Sequence, residues 1–275
     1  MQLRIITATL GIPVVFLILW AGYPWIWIAF SIVSTIAILE FYNLNPNNCP
    51  IIVKIIGVCW LNMLLSNGYI LHLAQIDILM LGLVGIPTVN FLLQIIVFCK
   101  NKFNQPFELK QPSLYSLHTL IGIIYIGIPV SLSLSIRNEA NGFELLAIII
   151  FGVFVTDTFS FLTGKLIGTR KLAPTISPGK TWEGAVGGFL FGSSFTIYLT
   201  HTLAVFNNFQ LILLLGFALA ISAQIGDLLE SKLKRIAKVK DTGNLIPGHG
   251  GVLDRMDSII LTIVVLYPLI KWGVE

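Results

Sequence analysis

Two stretches of the 275-residue chain combine residue types that can handle phosphate groups. The first is 224–258, QIGDLLESKLKRIAKVKDTGNLIPGHGGVLDRMDS. Asp227 and Glu230 stand three residues apart in it, as do Asp254 and Asp257, and that spacing puts each pair on one face of a helix. Between the pairs lie Lys232, Lys234, Arg235, Lys238, Lys240, Asp241 and the turn Pro247-Gly248-His249-Gly250-Gly251. If the flanking helices are neighbours, the loop folds back and brings Asp227 toward Asp254. Carboxylates converging among many cations suit a hard divalent cation that also holds phosphate oxygens, while the bases neutralise a polyphosphate. His249 in a glycine turn can contact phosphate or simply cap the turn.

The second stretch is 164–188, GKLIGTRKLAPTISPGKTWEGAVGG. Its Ser177-Pro178-Gly179-Lys180-Thr181 ends like a phosphate loop, but Pro174 occupies the position where that loop needs glycine, and no strand is expected in front. A helix opening near Pro178, with Thr181 and Glu183 close behind, fits better. Its free N–H groups and Lys180 would attract phosphate; the plain alternative is an ordinary capped helix. Gly184, Gly188 and Gly192 recur at four-residue spacing, the pattern of close helix packing. Asp157, flanked by Thr156, Thr158 and Ser160, is the one acid read as plainly intramembrane, where a carboxylate needs a partner or a function.

The elements that must carry these residues follow from composition. Only 11% of the chain is charged, 17 Lys and Arg against 13 Asp and Glu, while 56% is hydrophobic. Mean hydropathy is +0.88. A soluble globule, a disordered chain and a disulfide-stapled module are excluded. Cys49, Cys59 and Cys99 show no metal-binding or paired spacing and read as small apolar fillers. The expected fold is an all-α polytopic membrane protein of about nine spans, near 5–22, 25–42, 52–71, 76–98, 115–136, 143–163, 185–204, 209–229 and 252–271. Residues 1–140 read as transmembrane scaffold and 141–275 as the part that carries chemistry. The first span lacks a cleavage site and reads as an uncleaved helix. With the N-terminus in the cytoplasm, every Lys and Arg except Arg137 and Lys271 falls on that side, which selects N-in, C-out. The polar site then faces the cytoplasm.

On residue chemistry alone three classes remain: phosphoryl or nucleotidyl transfer, a transporter or ion pathway, and a lipid-docking protein. A transporter would place charges deep in several spans. Lipid docking explains Lys232 to Lys240 but not four acids at adjoining helix ends.

The run S-K-L-K-R-x4-K-D-x-G-x2-I-P-G-H-G-G-V-x-D-R-M-D, from Ser231 to Asp257, resembles the signature of the phosphatidate cytidylyltransferases, or CDP-diacylglycerol synthases. Ile225-Gly226-Asp227-x-x-Glu230-Ser231 and Ile176-Ser177-Pro178-x-Lys180-Thr181-Trp182-Glu183-Gly184 are similar to that family too, as is Asp157 followed by Gly164-Lys165 and Gly168. These regions cover a quarter of the chain; the N-terminal half resembles the family only in hydropathy. Where the family commonly reads Ser-Pro-Lys-Lys-Thr, this chain has Gly179 in place of the first Lys. The resemblance implies attack of phosphatidate on CTP, giving CDP-diacylglycerol and pyrophosphate, with Mg²⁺. It implies Asp227 and Asp254 as metal ligands and Lys234, Arg235, Lys240 and Arg255 on phosphates, Lys240 with a catalytic part. Asp241 and His249 would organise the loop or touch substrate, and Ser177, Lys180, Thr181 and Glu183 would form a second wall. Beyond CTP, phosphatidate and the bilayer, the expected partner is a second copy in a homodimer, and no nucleic acid. The D-G-x-x-A-R and G-x-x-x-D-x-x-x-D pattern of enzymes that consume CDP-lipids is absent. The archaeal-type relative that activates an ether lipid phosphate is a closer rival.

Overall fold

The computed structural model describes residues 2–44, 49–74, 112–245 and 250–274. The expected span 76–98 lies outside them, as do Lys100, Lys102, Lys110 and His249. The described elements are α1 (Gln2–Ala21), α2 (Trp25–Asn43), α3 (Ile51–Ala74), α4 (Pro112–Gly122), a π-helical turn (Ile123–Gly127), α5 (Ile128–Arg137), α6 (Gly142–Ile167), β1 (Lys171–Ala173), β2 (Ser177–Thr181), α7 (Trp182–Thr202), α8 (Phe209–Ile236) and α9 (Leu253–Val274). Among the described residues, five helical stretches are long and apolar enough to cross a membrane: Trp25–Asn43, Leu117–Arg137, Gly142–Ile167, Phe209–Ile236 and Leu253–Val274. Apart from one short hairpin the architecture is that of an all-α membrane protein. Large apolar side chains such as Trp20, Phe161, Leu166 and Tyr198 point outward, as a lipid-facing surface requires.

Local chemistry sets the breaks. Pro129 has no N–H to give the Tyr125 carbonyl, and the helix widens to π geometry in the turn just before it. Beyond the end of α8, Lys238 takes the left-handed conformation (φ 58°) and turns the chain back toward α9. The two bases assigned to the opposite end of the bundle are both engaged there: Lys271 pairs with Glu139, and Arg137 Nε donates to the Leu19 carbonyl at 3.3 Å.

Two expected helix contacts are present. A methyl group on Gly188 would overlap the Ser160 hydroxyl and come within 2.8 Å of the Thr156 carbonyl, and one on Gly184 would lie 2.6 Å from the Ser160 carbonyl. The glycine stripe of α7 therefore lies directly on α6. On the other side, a methyl on Gly226 would stand 2.7 Å from the Asp257 carbonyl, so α8 and α9 are close neighbours. Gly188→Ala should cost about 1–3 kcal/mol by overpacking, seen as a lower unfolding midpoint in detergent. An unchanged midpoint would mean that the α6–α7 contact yields freely.

The hairpin is a departure from expectation. Helix α7 opens at Trp182, not near Pro178, and Ser177–Thr181 forms a strand antiparallel to Lys171–Ala173, with Lys171 opposite Thr181 and Ala173 opposite Ser177. A strand does therefore precede the helix, although Pro174 still rules out a phosphate loop. Thr181 is the cap, its hydroxyl accepting from the Gly184 N–H at 3.1 Å. Two short strands interrupted by Pro174 and Pro178 give no alternating pattern to read. One buried cluster, with Leu19, Tyr42, Leu61, Leu134, Leu146, Leu219 and Leu253 among its members, joins the N-terminal helices to the C-terminal ones.

Candidate active site at one end of the bundle

The hairpin is fastened on both sides. Glu183, in the first turn of α7, accepts from Thr169 Oγ1 at 2.7 Å and from the Arg170 N–H at 3.2 Å. The Thr169 hydrogen bond leads the effects that hold its carboxyl down at about 2, so it stays charged at any working pH. On the other side, Lys180 of β2 pairs with Asp227 of α8 at 2.7 Å, and Arg235 Nε donates to the Ile176 carbonyl at 3.1 Å. Ser177 is half-buried, and Gly179 faces open space.

The four acids of the α8 and α9 ends sort into two groups. In the inner one, Lys234 Nζ stands 2.8 Å from Asp254 Oδ1 and 3.1 Å from Glu230 Oε1, with the Glu230 and Asp254 side chains 0% and 3% exposed. The Glu230 contact is an ion pair by distance that misses hydrogen-bond geometry, since among the described residues neither Glu230 oxygen has a hydrogen-bond partner. Both oxygens of Asp254 have partners, since its Oδ2 accepts from the Thr242 N–H at 2.9 Å and the Gly251 N–H at 2.8 Å. Gly250 has φ +81°, and a methyl on it would stand 2.6 Å from Asp254 Oδ2, so this position needs glycine.

In the outer group, Asp227 keeps its bond to Lys180 and accepts weakly from Ser231 at 3.4 Å. Asp257 and the intramembrane Asp157 both feel its charge, and Asp157 also feels Asp257 and Lys180. The Tyr125 phenol, carried in by the π-helical turn, lies within electrostatic reach of Glu230, Asp257 and Asp227. Lys240, Asp241 and Arg255 are exposed around this end. The expected meeting of Asp227 with Asp254 thus becomes two adjoining ion-pair groups, Lys180 with Asp227 and Lys234 with Glu230 and Asp254, with Asp257 feeling the charge of both Asp227 and Lys234.

One carboxylate was missed. Glu40, on α2, is 7% exposed, and its side chain accepts from the Val252 N–H at 3.1 Å, the Leu253 N–H at 2.9 Å and Thr242 Oγ1 at 3.3 Å. Asp157 is therefore not the only acid within a span. The available signal was that Glu40 is the sole charge in Trp25–Asn43.

Among the described residues no three His, Cys, Asp or Glu side chains close on one metal point. The donor chemistry nevertheless fits Mg²⁺, which is commonly held by one or two carboxylates together with substrate phosphates. Asp227 is about one-third exposed and pairs with Lys180, and Asp157, Asp227 and Asp257 repel one another. Asp254 Oδ1 keeps one lone pair beside its bond to Lys234, so it can join only by sharing that oxygen.

The sequence profile of the cytidylyltransferase family matches residues 2–272. A phosphatidate cytidylyltransferase of Staphylococcus aureus is 32% identical over 275 residues, spanning 98% of this chain and 99% of the relative. One from Staphylococcus epidermidis is 30% identical over 281 residues, with 98% and 99% covered. One from Rickettsia bellii is 39% identical over 157 residues, 55% of this chain and 68% of the relative. Similarity therefore reaches through the N-terminal half, which hydropathy alone had tied to the family.

Proposed function

The chain belongs to the cytidylyltransferase family, and we propose that it transfers the cytidylyl group of CTP to phosphatidate, giving CDP-diacylglycerol and pyrophosphate in phospholipid biosynthesis. The observation that carries this reading is the full-length match to phosphatidate cytidylyltransferases in a chain whose two ion-pair groups gather at one end of an apolar bundle.

An oxygen of the lipid phosphate attacks the α-phosphorus of CTP in line, and the bond to the pyrophosphate oxygen breaks. A phosphate monoester is already nucleophilic near neutral pH, so no strong base is required. The barrier lies in bringing two anions together, and alignment and charge neutralisation lower it. Lys180, Lys240, Arg235 and Arg255 supply positive charge for the phosphates. Lys234 is already shared between Glu230 and Asp254, and it keeps the inner group rigid while adding to the positive field. Ser177 and Asp241 contact substrate at the rim, as does His249, which lies outside the described residues. Thr181 and Glu183 act by fixing the hairpin and the start of α7. Mg²⁺, held by Asp227 and Asp254 with the substrate phosphates, supplies further neutralisation of the triphosphate.

In this reading nine helices cross a cytoplasmic (inner) membrane with the N-terminus inside, so the site meets cytosolic CTP and the lipid headgroup together. Residues 1–140 are scaffold, 141–275 carry the chemistry, and the enzyme works as a homodimer. The test is the purified protein in detergent with labelled CTP, phosphatidate and Mg²⁺. A lipid-linked cytidine that disappears with chelator supports the proposal; none under any divalent cation refutes it. Position 179 offers a finer test. Among the described residues nothing lies within 4 Å of a Cβ placed there, so Gly179→Lys should fold normally. The added cation should lower the KM for CTP by about 2–5-fold, as expected of an exposed ionic contact. An unchanged KM would separate this position from the nucleotide.

A further inference from the structure

Glu40 has no part in the reaction as described, yet among the described residues its side-chain hydrogen bonds all go to the segment that leads into and opens α9, the helix of Asp254. The Val252 and Leu253 N–H groups lie at the start of α9, where a helix leaves donors unpaired and its dipole favours an anion. Glu40 is the anion placed there. The third donor, the Thr242 hydroxyl, belongs to a residue whose own N–H goes to Asp254 Oδ2. Two glycines make room for this carboxylate: a methyl on Gly243 would overlap Glu40 Oε1, and one on Gly251 would overlap Oε2. The contacts thus run from a scaffold helix through Thr242 and the 250–253 turn to Asp254, and from Asp254 to Lys234 and Glu230.

We infer that Glu40 is a positioning residue for the reaction: it holds the start of α9 and the Thr242 turn in the register that presents Asp254, Arg255 and Asp257. The inference rests on the proposed cytidylyl transfer. It assigns a part in turnover to a helix otherwise read as support.

The experiment uses the full-length protein in detergent. Glu40→Gln keeps the size but turns an NH2 group toward N–H donors. It should lower kcat by about 10–100-fold per folded molecule, the range typical of groups that orient a reactive ligand, with little change in the KM for CTP. The Val252 and Leu253 amides should also exchange hydrogen faster than in the parent protein. Wild-type kcat, or a loss that only follows the unfolded fraction, overturns the inference. If Glu40→Gln does not fold, Gly243→Ala displaces the same carboxylate and should reproduce the kcat loss. Added to Glu40→Asp, where the shorter side chain leaves space, it should cause no further loss; a full additional loss overturns the inference. A parent protein inactive on CTP and phosphatidate would refute the proposed function instead. Amide exchange at Val252 and Leu253 would still report on Glu40.

Discussion

Asp254→Asn is expected to lower cytidylyl transfer by about 10³-fold or more, the scale of removing a preorganised electrostatic contact together with a metal-binding charge. The substitution should also destabilise the protein. Each orientation of the new amide is wrong somewhere. If its NH2 faces Lys234, donor meets donor; if it faces Thr242 and Gly251, two backbone N–H groups lose their acceptor. The ion pair left to Lys234 would then be the one with Glu230, in an orientation outside hydrogen-bond geometry. Breaking a buried ion pair by removing one partner costs about 3–5 kcal/mol, and the surviving Glu230 contact puts the expectation at the lower end. Turnover per folded molecule and the unfolding midpoint in detergent are the two measurements. A variant that unfolds earlier but turns over normally when folded would reduce Asp254 to a structural anchor.

Asp227→Asn should show the opposite balance. Its pair with Lys180 is one-quarter to one-third exposed, and ion pairs of that kind contribute about 0–1 kcal/mol. The unfolding midpoint should therefore hardly move. Activity should fall by about 10²–10³-fold, because the same carboxylate both orients Lys180 and is the more accessible of the two proposed metal ligands. The Mg²⁺ concentration needed for half-maximal rate should rise as well. Near-normal turnover at the ordinary Mg²⁺ level would remove Asp227 from the metal site and leave it only as the partner of Lys180.

These two aspartates show how far the chain could be read in one dimension. Their placement at adjoining helix ends was legible from three-residue spacing and apolar run length. Their difference was not, since it depends on which lysine reaches which acid across α8, α9 and the hairpin. The hairpin itself was invisible, because Pro174 and Pro178 erase the alternation that marks a strand. The glycine stripe of α7 was read correctly, because four-residue spacing on a helix already defines a face whatever packs on it.

What the amino-acid sequence determined by itself is the class of molecule and the segments where its charged groups collect. Apolar runs longer than any soluble core can hide, with charge confined to a few segments, require membrane helices that carry polar groups at their ends, since an unpaired charge in hydrocarbon is too costly. The 231–257 signature then points to the family, and the proposed reaction is assigned to those ends. Only the tertiary structure decided which groups are committed to one another. Asp254 is tied to Lys234 and two backbone amides, Asp227 remains partly open beside Lys180, and Glu40 crosses from the scaffold to the start of α9. Apart from the short reach from Asp254 to the Gly251 amide, these pairings join residues well separated in sequence, and the Glu40 contacts bridge about 200 positions. No local spacing encodes such a meeting: it follows from how the helices pack, and a buried donor or acceptor takes whichever partner the packing brings within reach.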